Sequence, residues 1–309
     1  MRRIVFVALA PLLIARLNVA SDAVTHPFVG VTYVARSEGP PHPERMHVVQ
    51  IDLGAPGIRF ELSPPAGDRE TIRQTTLEFL EAEHAQIAIN AHYFLPFPSA
   101  DRAAWLVGFA ASEGRVFSAF ETPDQQYAIV PRAPAVNISR DNRATIVHAD
   151  PSFSDGRHVL ENVDVWTAVS GSAQIVTAGV ATVPTYLDDA HPGGTLAPGG
   201  PSQYSNAHSW YDAATARTAI GLSRDGRTVT LFTVDVRNGS EGMRVGDVAA
   251  RLIRDYGVWN ALNLDGGGST SMAMQDPTTG VASLVNSSSD NPNGRSVGSS
   301  LAVFARPVR

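Results

Sequence analysis

The stretch Asn263-Leu-Asp-Gly-Gly-Gly-Ser-Thr-Ser-Met272 constrains this chain more than any other. Glycine loses more backbone freedom on folding than any other residue, so three in succession straight after an apolar run need a compensating reason. The apolar run reads as a strand that delivers Asp265 to its end. Gly266, Gly267 and Gly268 then let the backbone turn and present N–H groups, which can face an anion or a sugar hydroxyl. Ser269 and Thr270 add hydroxyls to the same place. The spacing is not that of a phosphate-binding P-loop, which needs Gly-Lys-Ser/Thr, and GxGxxG is missing, so it is not a dinucleotide fingerprint. A tight turn capped by Asp265 fits the same residues, and spacing alone leaves both readings open.

The chain has 309 residues, of which 43% are hydrophobic and 17% charged, enough for a substantial core. Its formal charge of −6 gives no electrostatic case for nucleic acid as a partner. All 24 basic residues are arginine, which points to a GC-rich bacterial genome and supplies guanidiniums suited to bidentate anion contacts. There is no cysteine, which excludes thiol catalysis, cysteine zinc sites and disulfides. Met1-Arg2-Arg3, the apolar run Ile4 to Ala15 and the small-x-small Ser21-Asp22-Ala23 form the three-part layout of a secretory signal. The run is shorter than the roughly 20 residues of a membrane-spanning helix. The expectation is a signal peptide over 1–23, one domain over 24–309, export to the periplasm or beyond, and no stable membrane insertion after cleavage.

Along the chain, Met46–Leu53 and Ile58–Leu62 read as strands joined by Ala55-Pro-Gly57, a hairpin signal. Thr75-Thr-Leu-Glu78 is a capping-box pattern that opens a helix to about residue 85, with Leu77, Phe79 and Leu80 facing inward. The segment 86–90 reads as a short buried strand, and 91–125 as aromatic and irregular. The segments 150–158 and 186–210 read as surface loops, and loops of that length are usually functional or disordered. Arg224-Asp-Gly-Arg227 joins two β-like runs, 218–222 and 228–236, into a second hairpin. Residues 247–256 carry Val248, Leu252, Ile253 and Tyr256 on one helical face, with Gly257 as a stop. Residues 283–286 and 301–304 read as closing strands. The fold class expected is α+β: a single domain dominated by mixed or antiparallel sheet with a few flanking helices.

Other segments carry residue types suited to a ligand. Asn90 and His92 end the buried strand beside Tyr93 and Phe94, and a sugar ring takes both hydrogen bonds and an aromatic face. Arg217, Arg237 and Arg295 lie beside strand or turn signals and suit a phosphate oxygen pair. Asp235 closes a strand, and Asn286 to Asp290 is polar enough for a ligand rim or a solvated turn. The nine histidines are dispersed, with no GxSxG elbow and no histidine pair at metal-ligand spacing. No cofactor is required by these residues, and a divalent ion held by loop carboxylates stays open.

Several of these stretches, in order, resemble the phosphodiester glycosidase family: 47–63, AQIAINAHYF over 85–94, SGSAQIVTAG over 170–179, ARTAIGLSRDGRTVTLFTVDVR over 216–237, 242–272 around the glycine turn, and LVNSSSDNPNGRSV over 284–297. The resemblance spans roughly 30–306. It implies hydrolysis between a sugar's anomeric carbon and a phosphate oxygen, with substrates of the N-acetylglucosamine-1-phosphodiester type, so the partner is a sugar phosphate or glycan. On this chain it implies Asp265 as the carboxylate nearest the sugar, with Asp235 and Asp290 as candidates for a second. His92 becomes an acid/base candidate. Asn90, Arg217, Arg237, Gly266, Gly267, Gly268, Ser269, Thr270, Asn286 and Arg295 become substrate-binding candidates. Ala91 and His92 stand where the family has two glycines, Val236 where it has a glycine, and Ser288 where proline is frequent. The first departure places two side chains where the family keeps open backbone. A non-catalytic exported carbohydrate-binding protein on the same scaffold is the alternative.

Overall fold

The computed structural model describes residues 21–121, 129–196, 204–287 and 291–308. The largest sheet has eight strands in the order Ser21–Thr25, Val31–Glu38, Glu44–Asp52, Thr228–Val234, Arg217–Leu222, Asn260–Asn263, Ala173–Thr177 and Val180–Ala181. A five-stranded sheet runs Ala282–Leu284, Met272–Gln275, Ile87–Asn90, Ser300–Phe304, Arg59–Leu62. A second runs Arg115–Ser118, Ala110–Ser112, Thr167–Ser170, Ala135–Ile138, Ala144–Val147. A small sheet joins Thr71–Ile72, Ala103–Leu106 and Phe94–Leu95. Neighbouring strands in the ladders pair antiparallel, including Arg217↔Val234 in the second expected hairpin.

The α+β expectation is corrected toward sheet. Two α-helices, Thr76–Glu83 and Val245–Tyr256, occur among the described residues, and each covers a sheet face instead of forming a layer of its own. Side chains alternate across a strand. In Glu44–Asp52, Val49 and Ile51 therefore enter the central core with Leu231, Ile220, Leu262, Ile89 and Val303. Met46 and Val48 point the other way and pack with Phe232 and Val234 against Val248 and Leu252 of the longer helix. Both faces of this sheet are covered, so its strands read as near-continuous apolar runs. The short helix lays Phe79 and Leu80 on Ala88, Ala273 and Ala302, with Leu77 only partly buried. Its capping box is formed: Glu78 N–H donates to Thr75 Oγ1 and Thr75 N–H donates to Glu78 Oε2.

The first expected hairpin does not form. Glu44–Asp52 already has Val31–Glu38 on one edge and Thr228–Val234 on the other, so Arg59–Leu62 crosses to a different sheet and pairs with Ser300–Phe304. The expected leader falls largely on residues 1–20, outside the described residues. Ser21-Asp22-Ala23 lies in the exposed edge strand Ser21–Thr25, paired with Val31–Glu38. Among the described residues no helix is long and apolar enough to cross a membrane.

Candidate active site

The strand Asn260–Asn263 is bonded on both sides, by Arg217–Leu222 and by Ala173–Thr177, so the chain leaves it from a fixed point. Beyond it the backbone is stapled to two neighbouring strand ends. Leu264 N–H donates to Thr218 O at 2.9 Å, Asp265 N–H to Ala91 O at 3.0 Å and Gly267 N–H to Ala216 O at 2.8 Å. Gly267–Ser269 forms one turn of 3-10 helix, closed by Ser269 N–H to Gly266 O and Thr270 N–H to Gly267 O. A Cβ on Gly266 would lie 2.9 Å from the Ala216 carbonyl, and Gly267 has a φ of +59°. These are the physical reasons for glycine at the first two positions.

Four of the N–H groups at this turn are already taken within the protein. Gly266 N–H bonds the Asp265 carboxylate, and the Gly267, Ser269 and Thr270 N–H groups close backbone bonds. The glycines instead leave a side-chain-free floor to a cavity of about 290 Å³. Asp265, Gly266–Ser269 and Arg295 line it on one side, and Tyr93, Phe94, Leu95 and Phe97 on another. Tyr204 and Trp210 complete the wall.

Asp265 is nine-tenths buried, and its carboxyl is pushed up from 3.8 to about 7, first by burial. Hydrogen bonds from Ser269 and Gly266 N–H and the charge of Arg295 pull the other way. Arg295 Nη1 donates to Ser269 Oγ at 3.3 Å, and its guanidinium lies 4.7 Å from the centre of the Phe97 ring. The Tyr93 hydroxyl accepts from Trp210 Nε1 and Asn263 Nδ2, both at 3.3 Å, which fixes two cavity aromatics to the strand that carries Asp265.

Of the candidates named from sequence, the cavity gathers Asp265, Gly266, Gly267, Gly268, Ser269 and Arg295. The others that fall among the described residues stand elsewhere, for identifiable reasons. Asn90 is fully buried and ties the turn down: its Nδ2 donates to Asp265 O at 2.6 Å, and its Oδ1 accepts from Thr218 Oγ1 and Ser271 N–H. Thr270 is buried beside Thr218. Asn286 braces the segment behind the turn by donating to Thr270 O and Asp235 Oδ1 and accepting from Met272 N–H. Asp235 is thereby committed to Asn286 and to Ser287 N–H, with His47 Nε2 at 3.5 Å. Arg237 is exposed on a surface turn. Asp290 and Ser288 lie outside the described residues.

His92 does not reach the cavity. It is fully buried, with Nδ1 2.9 Å from Ser299 Oγ and Nε2 accepting from Ser170 N–H at 3.0 Å. Ala91 is equally buried and offers its carbonyl to Asp265 N–H, so neither side chain obstructs the ligand space. Burial lowers the His92 imidazole from 6.5 to about 4. The unfolded chain takes up a proton that the native core refuses, so stability is present above the unfolded value and lost as pH falls from about 6.5 toward about 4. Asp265, whose carboxyl is raised on folding, contributes the opposite slope over the same window, so the His92 contribution is read as a difference: in urea unfolding, His92→Gln is expected to lose stability relative to wild type progressively as pH rises from about 4 to about 6.5. An unchanged slope in the variant rules the assignment out.

Arg217 is also fully buried and does not reach the ligand space. Its Nε donates to Met243 O at 3.0 Å, one Nη to the carbonyls of Trp210 and Ala213, and its guanidinium lies 4.8 Å from the Trp210 ring centre. It anchors the segment that carries Trp210, a wall residue that, like Tyr204, Leu95 and Phe97, is not among the candidates named from sequence. Aromatic residues inside a long Gly- and Pro-rich segment were the available signal for Tyr204 and Trp210.

The model of the phosphodiester glycosidase family matches residues 83–304. The chain belongs to that family. No curated protein matches the sequence. Solved structures share the fold, among them the following three. A hypothetical protein from Synechocystis is 15% identical with a TM-score of 0.57, over 90% of this chain and 62% of that one, so this chain spans under two thirds of its length. The catalytic domain of zebrafish N-acetylglucosamine-1-phosphodiester alpha-N-acetylglucosaminidase, auto-inhibited by its pro-peptide, is 17% identical with a TM-score of 0.58, over 94% and 85%. A candidate exported protein from Burkholderia pseudomallei is 14% identical with a TM-score of 0.62, over 94% and 97%. At these identities the likenesses establish the fold, while the family follows from the sequence match.

Proposed function

We propose that this protein is an exported hydrolase that cleaves the anomeric carbon–oxygen bond of a sugar-1-phosphodiester of the N-acetylglucosamine type. The observation that carries the reading is the meeting of Asp265 and Arg295 in one aromatic-walled cavity with a bare glycine floor. Cleavage develops oxocarbenium character at the anomeric carbon, which an adjacent carboxylate stabilises. Water adds to that carbon, and the C–O bond pair leaves with the phosphate oxygen as a phosphomonoester. The water proton passes to Asp265 or to solvent. A phosphate is a good leaving group, so a single carboxylate suffices, and the guanidinium of Arg295 stabilises the departing charge. Tyr93 and Trp210 offer faces to the sugar ring.

The test is release of free sugar from an N-acetylglucosamine-1-phosphodiester in isotopically labelled water. Label in the sugar supports the reading; label in the phosphate makes the enzyme a P–O phosphodiesterase instead. A non-catalytic glycan-binding role is the second reading, favoured by one fact: among the described residues Asp265 is the only carboxylate lining the cavity. It predicts saturable glycan binding with no product.

The working form of Asp265 in this mechanism is ionised, and its carboxyl lies at about 7. The kcat/KM of the free enzyme is therefore expected to rise with pH through about 7 and then level off. Arg295→Gln removes a nearby cation that lowers this value, so the inflection should move to higher pH. A pH–rate profile of both proteins decides it, and an inflection that stays in place in the variant contradicts the pairing.

A further inference from the structure

A second depression adjoins the cavity. It is an open trough of about 710 Å³ that shares Phe94, Phe97 and Arg295 with the first. The partition between them is a layered stack. Arg73 lies 4.9 Å over the Phe94 ring, Phe94 meets Phe97 edge to face at 5.7 Å, and Arg295 covers Phe97 at 4.7 Å. Phe94, Phe97 and Arg295 are thus a common boundary, and the trough is the space next to the cavity that holds Asp265.

The lining of the trough is cationic in effect. It holds Arg73, Arg102 and Arg295 against Glu78 and Asp101. Both carboxylates are already engaged: Asp101 pairs with Arg69 at 3.0 Å, and Glu78 caps its helix through Thr75 N–H at 2.7 Å. Among the described residues, Arg73 and Arg102 form no ion pair. Arg73 is held in place by donating to the carbonyls of Ser99 and Pro96, and its buried Nε has no hydrogen-bond partner. On a chain of net charge −6, this is a local site for an anion.

We propose that the trough is the subsite for the leaving half of the substrate, and that it selects a sugar bearing a second phosphate. This inference rests on the glycosidase reading for its place in the reaction. It makes the substrate a glycan phosphodiester with a phosphorylated aglycone, where Arg102, with the charge of Arg73 beside it, meets the second phosphate and Phe97, nearly half exposed, meets the sugar face.

The test uses two N-acetylglucosamine-1-phosphodiesters, one esterified to O6 of methyl glucoside and the other to O6 of methyl glucoside 4-phosphate. The phosphorylated substrate is expected to show a kcat/KM roughly tenfold higher at low ionic strength, an advantage that shrinks with added salt. Arg102→Gln, an exposed position with no packing role, should erase the advantage and leave the rate on the neutral aglycone unchanged. Arg73→Gln should do the same if the loop it pins stays folded. Equal rates on both substrates in the wild type, or loss of both rates in Arg102→Gln, overturn the proposal. If neither diester is cleaved, the glycosidase reading fails, and the subsite is judged by equilibrium binding of the two free glucosides. Tighter, Arg102-dependent binding of the phosphorylated one supports it, and equal binding overturns it.

Discussion

Asp265→Asn is expected to lower kcat/KM by about a thousandfold, roughly 4 kcal/mol of transition-state stabilisation, with the fold intact. Asparagine keeps the shape and can still meet Ser269, but it cannot supply the negative charge that faces a developing oxocarbenium ion. The same change should stabilise the protein at neutral and alkaline pH. The native carboxyl titrates at about 7 against 3.8 for an unperturbed aspartate. Its folded value is raised, so the stability it contributes is fully present below the unfolded value and is lost as pH rises through the folded one. Above about pH 7 the wild type buries an anion, and the variant escapes a cost on the order of 2–4 kcal/mol. Denaturant unfolding near pH 8 and near pH 4, beside a rate assay, reads both effects. An active variant removes Asp265 from the mechanism. A variant no more stable than wild type at the higher pH removes the claim that this site is strained by burial.

Arg217→Ala is expected to destabilise the fold by about 3–5 kcal/mol, because it strands buried carbonyls and opens a space the size of a large side chain. The affected acceptors are those of Met243, Trp210 and Ala213, which join the start of the longer helix to the wall segment. The guanidinium is fully buried, so its loss should reach activity only through Trp210. Urea unfolding checks the magnitude, and Arg217→Lys should recover only part of it, since an ammonium lacks the planar fork. A variant of wild-type stability that had lost affinity for the phosphodiester would instead return Arg217 to direct phosphate contact.

The sequence made the glycine turn and its aspartate conspicuous because tight backbone approach has a composition of its own. It exposed Thr75 and Gly257 for a similar reason, since helix ends use few residue types. The segment 91–125 reads as irregular in sequence, yet its described residues contain strands of two to four residues, Phe94–Leu95, Ala103–Leu106, Ala110–Ser112 and Arg115–Ser118. Strands that short do not show a period. The hairpin misread at Ala55-Pro-Gly57 has a different origin: a turn signal says that the chain reverses, not which sheet it joins. Asn90, His92, Asp235, Arg217 and Asn286 looked like ligand groups because polar residues at strand ends suit both tasks. Whether such a side chain faces a cavity or satisfies buried backbone depends on contacts more than a hundred residues away, as between Asn90 and Thr218.

The floor of the cavity and its outer wall come from separate parts of the chain. Asp265 and the glycine turn are tied to strands of the larger sheets, whereas Phe97, Arg73 and Arg102 sit on and around a proline-bearing excursion between two strands of the small three-stranded sheet. Divergence can therefore act on the two independently. Substitutions and insertions in the excursion can reshape the outer wall while Asp265 and the glycine floor keep their positions, so what enters the cavity and what waits at its base are separable in this scaffold.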